Sequence, residues 1–295
     1  MKTEKNILIA FILNSIFSIF ELTGGFFTGS VAIMSDSLHD LGDAISIGLS
    51  YFLEKKSKKQ PDEKYTFGYL RYSVLGSVFT TLILLLGSLL VIINAVTKII
   101  HPVAIKYNGM MIFAVFGVIV NLCAAIMTKE GDSLNQKAVN LHMLEDTLGW
   151  IIVLIGAVIM RFTNIAIIDP LMSIGVSVFI IINAIKNLKE ALSLFLEKKP
   201  RGVNLEEIKK HVMKIQGVLD VHHVHLWSMD GNNNYATMHI VTNEFAHDIK
   251  EKIRQELKEH GICHVTLELE TENEKCDEIC CTIKNTSNHH HHHSH

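Results

Sequence analysis

Two apolar stretches of this chain each carry a histidine and an aspartate four residues apart: His39 with Asp43, and His142 with Asp146. At that spacing both side chains lie on one face of an α-helix, one turn apart. Two such faces brought together present two imidazoles and two carboxylates, a ligand set suited to tetrahedral Zn²⁺. The setting sharpens the point, because an ionisable residue at the centre of a bilayer costs at least about 2.5–3.5 kcal/mol. No Lys or Arg lies near either pair within its stretch, so each carboxylate needs some other partner. A backbone carbonyl satisfies a lone buried histidine; a repeated His/Asp pair favours a cation. Asp36, three residues before His39, is placed to orient that imidazole.

These pairs must be positioned by membrane helices. Six segments have the ~20 mostly apolar residues a span requires, near 6–27, 31–53, 74–99, 109–128, 138–162 and 170–194. The second and fifth, which carry the pairs, are expected to be the least apolar. The first is too long for a signal-peptide core and has no small-residue cleavage site. Lysine and arginine set the orientation. Lys55, Lys56, Lys58, Lys59, Lys64 and Arg71 fall between the second and third segments, and Lys198, Lys199 and Arg201 follow the sixth, whereas Gly29–Ser30 between the first two carries none. Both termini are therefore expected in the cytosol. The net charge of −3 gives no footing for nucleic acid.

After about residue 200 the pattern becomes that of a small soluble α+β domain. A helix is expected over 205–215, capped by Asn204, and strands over 222–229 and 235–242 flank the turn-rich Asp230–Asn234. A second helix is expected over 245–260, stopped by Gly261. A third strand over 264–270 turns Val265, Leu267 and Leu269 inward and Thr266, Glu268 and Glu270 outward. The expected organisation is thus an α-helical membrane domain over 1–200, a soluble domain over 201–271 and a disordered tail over 272–295. The tail holds Cys276, Cys280, Cys281 and the run His289–His293. It reads equally as an appended tag and as a native metal-collecting segment. The five cysteines form no disulfide framework.

With these motifs in hand, nearly the whole chain resembles the cation diffusion facilitators, in particular their zinc-exporting branch. The resemblance rests on T-G-S-V-A-I-M-S-D-S-L-H-D-L-G-D (28–43), K-Y-T-F-G-Y-L-R (64–71), S-L-N-Q-K-A-V-N-L-H-M-L-E-D (133–146), Asp169-Pro170 and V-H-H-V-H-L-W (221–227). It implies a homodimer of six-helix protomers, each with a ferredoxin-like cytoplasmic domain for metal binding and dimerisation. It also implies proton-coupled export of Zn²⁺, with His39, Asp43, His142 and Asp146 as transport-site ligands. Relatives that bind metal in the soluble domain use positions matching His222, His239, His247 and Glu268. A loop site of other relatives falls on Tyr65 and Tyr69, neither an ordinary Zn²⁺ ligand, so no metal is expected there.

The expected function is efflux of zinc, with cadmium or cobalt as further candidates, by alternating access at a His₂Asp₂ site in a bacterial plasma membrane. Zinc is then substrate and, in the soluble domain, a structural ion; no cofactor is expected and the chain is not expected to be an enzyme. An intramembrane metallohydrolase is disfavoured because there is no H-E-x-x-H, and four protein ligands leave no position for water. The remaining alternatives are a channel or a transporter driven by the electrical potential alone, and a membrane-bound metal sensor whose active part is the soluble domain. Within the spans, Glu21, Asn14 and Asn121 are candidates for lining the pathway or for bonding between helices.

Overall fold

The computed structural model describes residues 2–28, 31–101, 107–130, 133–163, 167–243 and 246–274. Two compact units result, one of six long helices and one of a sheet with two shorter helices. The Cys/His tail from residue 275 onward lies outside the described residues.

The long helices are α1 (Lys2–Thr28), α2 (Val31–Ser57), α3 (Arg71–Ile100), α4 (Tyr107–Lys129), α5 (Leu134–Thr163) and α6 (Ile168–Phe195). Each contains one expected span. Even the shortest, α4 with 23 residues, is about 35 Å long at 1.5 Å per residue, more than the ~30 Å of a hydrocarbon core. Among the described residues, Thr3–Thr23, Arg71–Thr97 and Leu134–Gly156 are long and apolar enough by composition to cross a membrane. As expected, α2 and α5 are the least apolar of the six helices, although α5 is still apolar enough to cross. In α5 the run from Leu148 to Leu154 outweighs Glu145 and Asp146, whereas α2 carries Asp36, Asp40 and Asp43 close together.

Burial in this unit is inverted relative to a water-soluble protein. Ile45, Leu86 and Ile126 are 68%, 63% and 61% exposed, while Asn14, Glu21, Ser50, Glu54, Ser77, Thr81, Ser88, Asn121 and Asn135 are buried. Lipid solvates an apolar exterior, and polar side chains inside find partners on neighbouring helices. Asn187 of α6 donates from Nδ2 to Ser77 Oγ (3.1 Å) and Thr81 Oγ1 (2.8 Å) of α3. Ser88 Oγ of α3 donates to Glu145 of α5 at 2.5 Å.

The start of α5 is the main polar joint. Ser133 caps the helix, its Oγ accepting from Gln136 N at 3.0 Å. The S-x-x-Q pattern would form a reciprocal capping box, but Gln136 Nε2 donates instead to the carbonyls of Thr128 (3.0 Å) and Glu130 (3.2 Å) at the end of α4. Asn140 Nδ2 donates to Ala125 O (2.6 Å) and Thr128 Oγ1 (3.0 Å). Asn135 faces α2, accepting from Ser50 Oγ at 2.5 Å and donating to Ser50 O (2.9 Å) and Glu54 Oε2 (3.2 Å). Glu54 also accepts from Ser73 Oγ of α3 at 2.6 Å. One buried carboxylate and one amide thus fasten α2, α3 and α5.

The second unit runs α7 (Leu205–Val212), β1 (Val218–Ser228), β2 (Asn234–Thr242), α8 (Ala246–Glu259) and β3 (Ile262–Glu270). Among the described residues, β1 pairs antiparallel with β2, and β2 pairs parallel with β3. This is the ferredoxin-like βαββαβ order without its first strand. Asn204 caps α7 as expected, accepting from Glu206 N at 3.1 Å. Gly261, at φ +75°, follows α8 in the left-handed conformation that ends helices. Ile208 and Val212 of α7, Ile249, Ile253 and Leu257 of α8, and Met238 and Ile240 of β2 form the core.

Replacing Asn135 by Ala strands the hydrogen-bonding groups of Ser50 and Glu54. We expect about 1–3 kcal/mol of destabilisation, read as a lower melting temperature of the detergent-purified protein, and an unchanged melt would show that this joint is not structural.

Candidate metal centre

The joint at Asn135 sets the register of the sequence-predicted site. Ser50 of α2 meets Asn135 of α5. Seven residues back along α2 stands Asp43, and seven residues on along α5 stands His142. Because the two helices run in opposite directions, both steps move about 10.5 Å the same way. His142 Nε2 accordingly lies 3.5 Å from Asp43 Oδ1 and 3.9 Å from Asp146 Oδ2. Donor atoms of the three residues all fall within 4.8 Å of one another. Their side chains are 5%, 7% and 15% exposed, so water provides little solvation. His142 Nε2 makes no hydrogen bond among the described residues. His39 sits on α2 one turn before Asp43, but its side chain, like that of Asp36, lies outside the described ones.

A buried imidazole nitrogen flanked by two carboxylate oxygens is a hard-to-satisfy set without a cation or protons. Neutral imidazole with carboxylates suits zinc-like ions, whereas an all-oxygen site suits Mg²⁺ or Ca²⁺. The surroundings hold the site firmly. Trp150, one turn beyond Asp146, packs edge-on to Phe17 of α1 with ring centroids 5.6 Å apart. Its ring also lies against Gly117 of α4, where an added Cβ would come within 2.5–2.7 Å of three ring atoms. Glu145, adjacent to Asp146, turns away to Ser88. Asn14 makes a long hydrogen bond from Nδ2 to Asp40 O (3.5 Å), a contact between helices. Glu21 and Asn121 are both buried.

At the loop between α2 and α3, Tyr65, Tyr69 and Tyr72 pack together, with centroids of Tyr65 and Tyr69 4.4 Å apart. Asp62 anchors the turn, accepting from Lys59 Nζ (2.7 Å), Tyr69 OH (2.6 Å) and Tyr65 N (2.9 Å). These donors, Lys59 foremost, hold its carboxyl well below the usual carboxylate range. The contribution of the charged form is complete above about pH 4 and fades only as pH falls through the depressed value. The loop therefore keeps this anchor throughout physiological pH.

In the second unit the sheet register brings His222 opposite His239, and His239 opposite Glu268. His239 Nε2 is 3.2 Å from Glu268 Oε2, but Glu268 is 68% exposed. Glu270, two residues on and on the same strand face, is more central. Its side chain is 11% exposed, 2.5 Å from His239 Nδ1 and 3.2 Å from His222 Nε2. His222, His239 and Glu270 place donor atoms within 4.8 Å of one another. Sequence reasoning passed over Glu270, although strand alternation puts it beside Glu268. Nor does β1 alternate simply: its register shifts between His222 and His225, with His223 at φ 51°. Val221 before this bulge and Leu226 after it are both buried, so His222 turns away from the core rather than sharing the face of Leu226. The side chain of His247 lies outside the described residues.

Comparison with known proteins bears on both units. Residues 7–196 match a profile described as the cation efflux transmembrane domain, and residues 200–272 match the cation efflux protein cytoplasmic domain. A cadmium, cobalt and zinc/H(+)-K(+) antiporter of Bacillus subtilis is 31% identical over 278 residues, covering 91% of this chain and 89% of the relative. The metal cation efflux system protein CzcD of Cupriavidus metallidurans is 32% identical over 90% of this chain and 86% of its own. The zinc transporter ZitB of Yersinia pseudotuberculosis is 33% identical over 90% and 88%.

Gly117→Ala drives a methyl group into Trp150, which must move away from its seat one turn from Asp146. We expect a loss of about 1–3 kcal/mol, seen as a lower melting temperature. An unchanged melt would show that α4 and α5 have slack at this level.

Proposed function

Because this chain belongs to the cation efflux family, the cation diffusion facilitators, in its zinc-exporting branch, we propose that it carries Zn²⁺ out of the cytosol in exchange for protons, with His39, Asp43, His142 and Asp146 as the transport site. The family consists of cation transporters and not enzymes, and the chain is an integral membrane protein with a helical transmembrane domain and a cytoplasmic domain containing a small sheet. The observation that carries the proposal is the meeting of Asp43 with His142 and Asp146, from two helices, deep among apolar residues.

The chemistry follows from the ligands. Zinc binds neutral imidazole and ionised carboxylate, so protons and metal compete for the same atoms. Opened to the cytosol at neutral pH, the set takes Zn²⁺; opened to a more acidic outside, it takes protons and releases the ion. Histidine suits this exchange because its ordinary pKa of about 6.5 lies near the working pH. The name of the Bacillus relative, a zinc/H(+)-K(+) antiporter, supports proton coupling. It also supports cadmium and cobalt as further substrates.

We place the molecule in a bacterial plasma membrane as a homodimer with both termini cytosolic, in keeping with the lysine-rich connections and the bacterial relatives. In the cytoplasmic domain, His222, His239 and Glu270, with Glu268 beside them and His247 on α8, form the candidate set for a structural Zn²⁺. The membrane domain spans roughly residues 1–200, and the cytoplasmic domain 201–271.

Reconstituted into vesicles, the wild type should move Zn²⁺ only when a pH gradient is imposed, and Asp43→Ala or Asp146→Ala should reduce that flux to the level of protein-free vesicles. Retained flux in either variant would overturn the site, and flux without a gradient would indicate a uniporter. A well-folded wild type with no flux at all would favour the sensor reading. His39→Asp should admit Cd²⁺ more readily, and an unchanged Zn²⁺/Cd²⁺ ratio would assign selectivity elsewhere.

A further inference from the structure

We propose a second cytosolic cation site, separate from the sheet cluster, formed where α7 meets α8 by His211, Glu256 and His260, with Zn²⁺ or a similar imidazole-preferring divalent ion as its ligand. His211 Nδ1 lies 2.8 Å from His260 Nε2 and 3.1 Å from Glu256 Oε1, and His260 Nε2 lies 3.4 Å from the same oxygen. These three edges surround a single point. Zinc bonded at about 2.05 Å to each of three tetrahedral ligands requires edges of about 3.3 Å, so small rotations of the side chains accommodate the ion.

The hydrogen-bonded alternative satisfies the atoms less well. One proton on one edge leaves another edge with two lone pairs facing each other, and a proton on each ring sets two N–H groups head to head at 2.8 Å. A cation at the centre satisfies all three at once. The placement is also rigid. Glu256 and His260 are one turn apart at the end of α8, alternating with core residues Ile253 and Leu257, and His211 adjoins buried Val212. Exposures of 35%, 29% and 22% leave the three open to the cytosol. Three protein ligands leave a fourth position for water, which marks an exchangeable site rather than a closed structural one. An ion there ties α7 to α8, so the domain stiffens when cytosolic zinc rises. None of this depends on the transport site.

The test uses the full-length protein in detergent, counting Zn²⁺ per protomer after equilibrium dialysis and recording melting with and without metal. Any metal held by the histidine run or the sheet cluster is common to every sample, so the differences between variants carry the result. His211→Ala/His260→Ala should hold one equivalent fewer than the wild type. Glu256→Gln, which keeps the size of the side chain, should keep the metal-free melting temperature and weaken that equivalent at least about tenfold. Both variants should retain gradient-driven flux. Equal metal content in the wild type and Glu256→Gln, with an equal zinc-dependent rise in melting temperature, would overturn the site and leave a hydrogen-bonded cluster only.

Discussion

The contact on which the membrane unit depends is the one between Asn135 and the Ser50–Glu54 turn of α2. Two helices in lipid have no hydrophobic force to choose their register, because the lipid is as apolar as their side chains. Polar groups must choose it. The amide of Asn135 answers both a hydroxyl and a carbonyl of α2, and Glu54 draws in Ser73 as well. A slip of one residue would rotate these groups out of reach. Everything about 10 Å further along, including the approach of Asp43 to His142 and Asp146, inherits that register.

The same logic explains why so many residues of the S-L-N-Q-K-A-V-N-L-H-M-L-E-D segment are polar in a membrane helix. Ser133 caps the helix, Asn135 reaches α2, and Gln136 and Asn140 close the last turn of α4. His142 and Asp146 face Asp43. The segment is a frame with a site at its end, and the spacing within it is set by which neighbour each turn meets. Trp150 continues that face, and Gly117 gives it room.

The cytoplasmic domain builds its metal-type cluster by a different route. Strand pairing, not helix spacing, brings His222 to His239, and a bulge at His223 turns His222 away from the core. The short parallel crossover through α8 then lays β3 alongside, delivering Glu268 and Glu270 to the same face. Carboxylates at the edge of a small sheet are inexpensive where solvent reaches them, and Glu270 is held close because two imidazoles flank it.

The chain by itself determined the six helices, the small α+β domain, the Asn204 cap and the i, i+4 spacing of His39 and Asp43 and of His142 and Asp146, because each is local. Hydropathy and an i, i+4 spacing are properties of one helix, and a cap is a property of one turn. Tertiary structure decided which helix faces meet, that Gln136 serves α4 rather than its own cap, and that Glu270 reaches both His222 and His239. It alone joined His211 to Glu256 and His260, residues about 45 positions apart. Those outcomes turn on register between distant segments and on one bulge that inverts strand alternation, and a period read along a single segment carries no information about either.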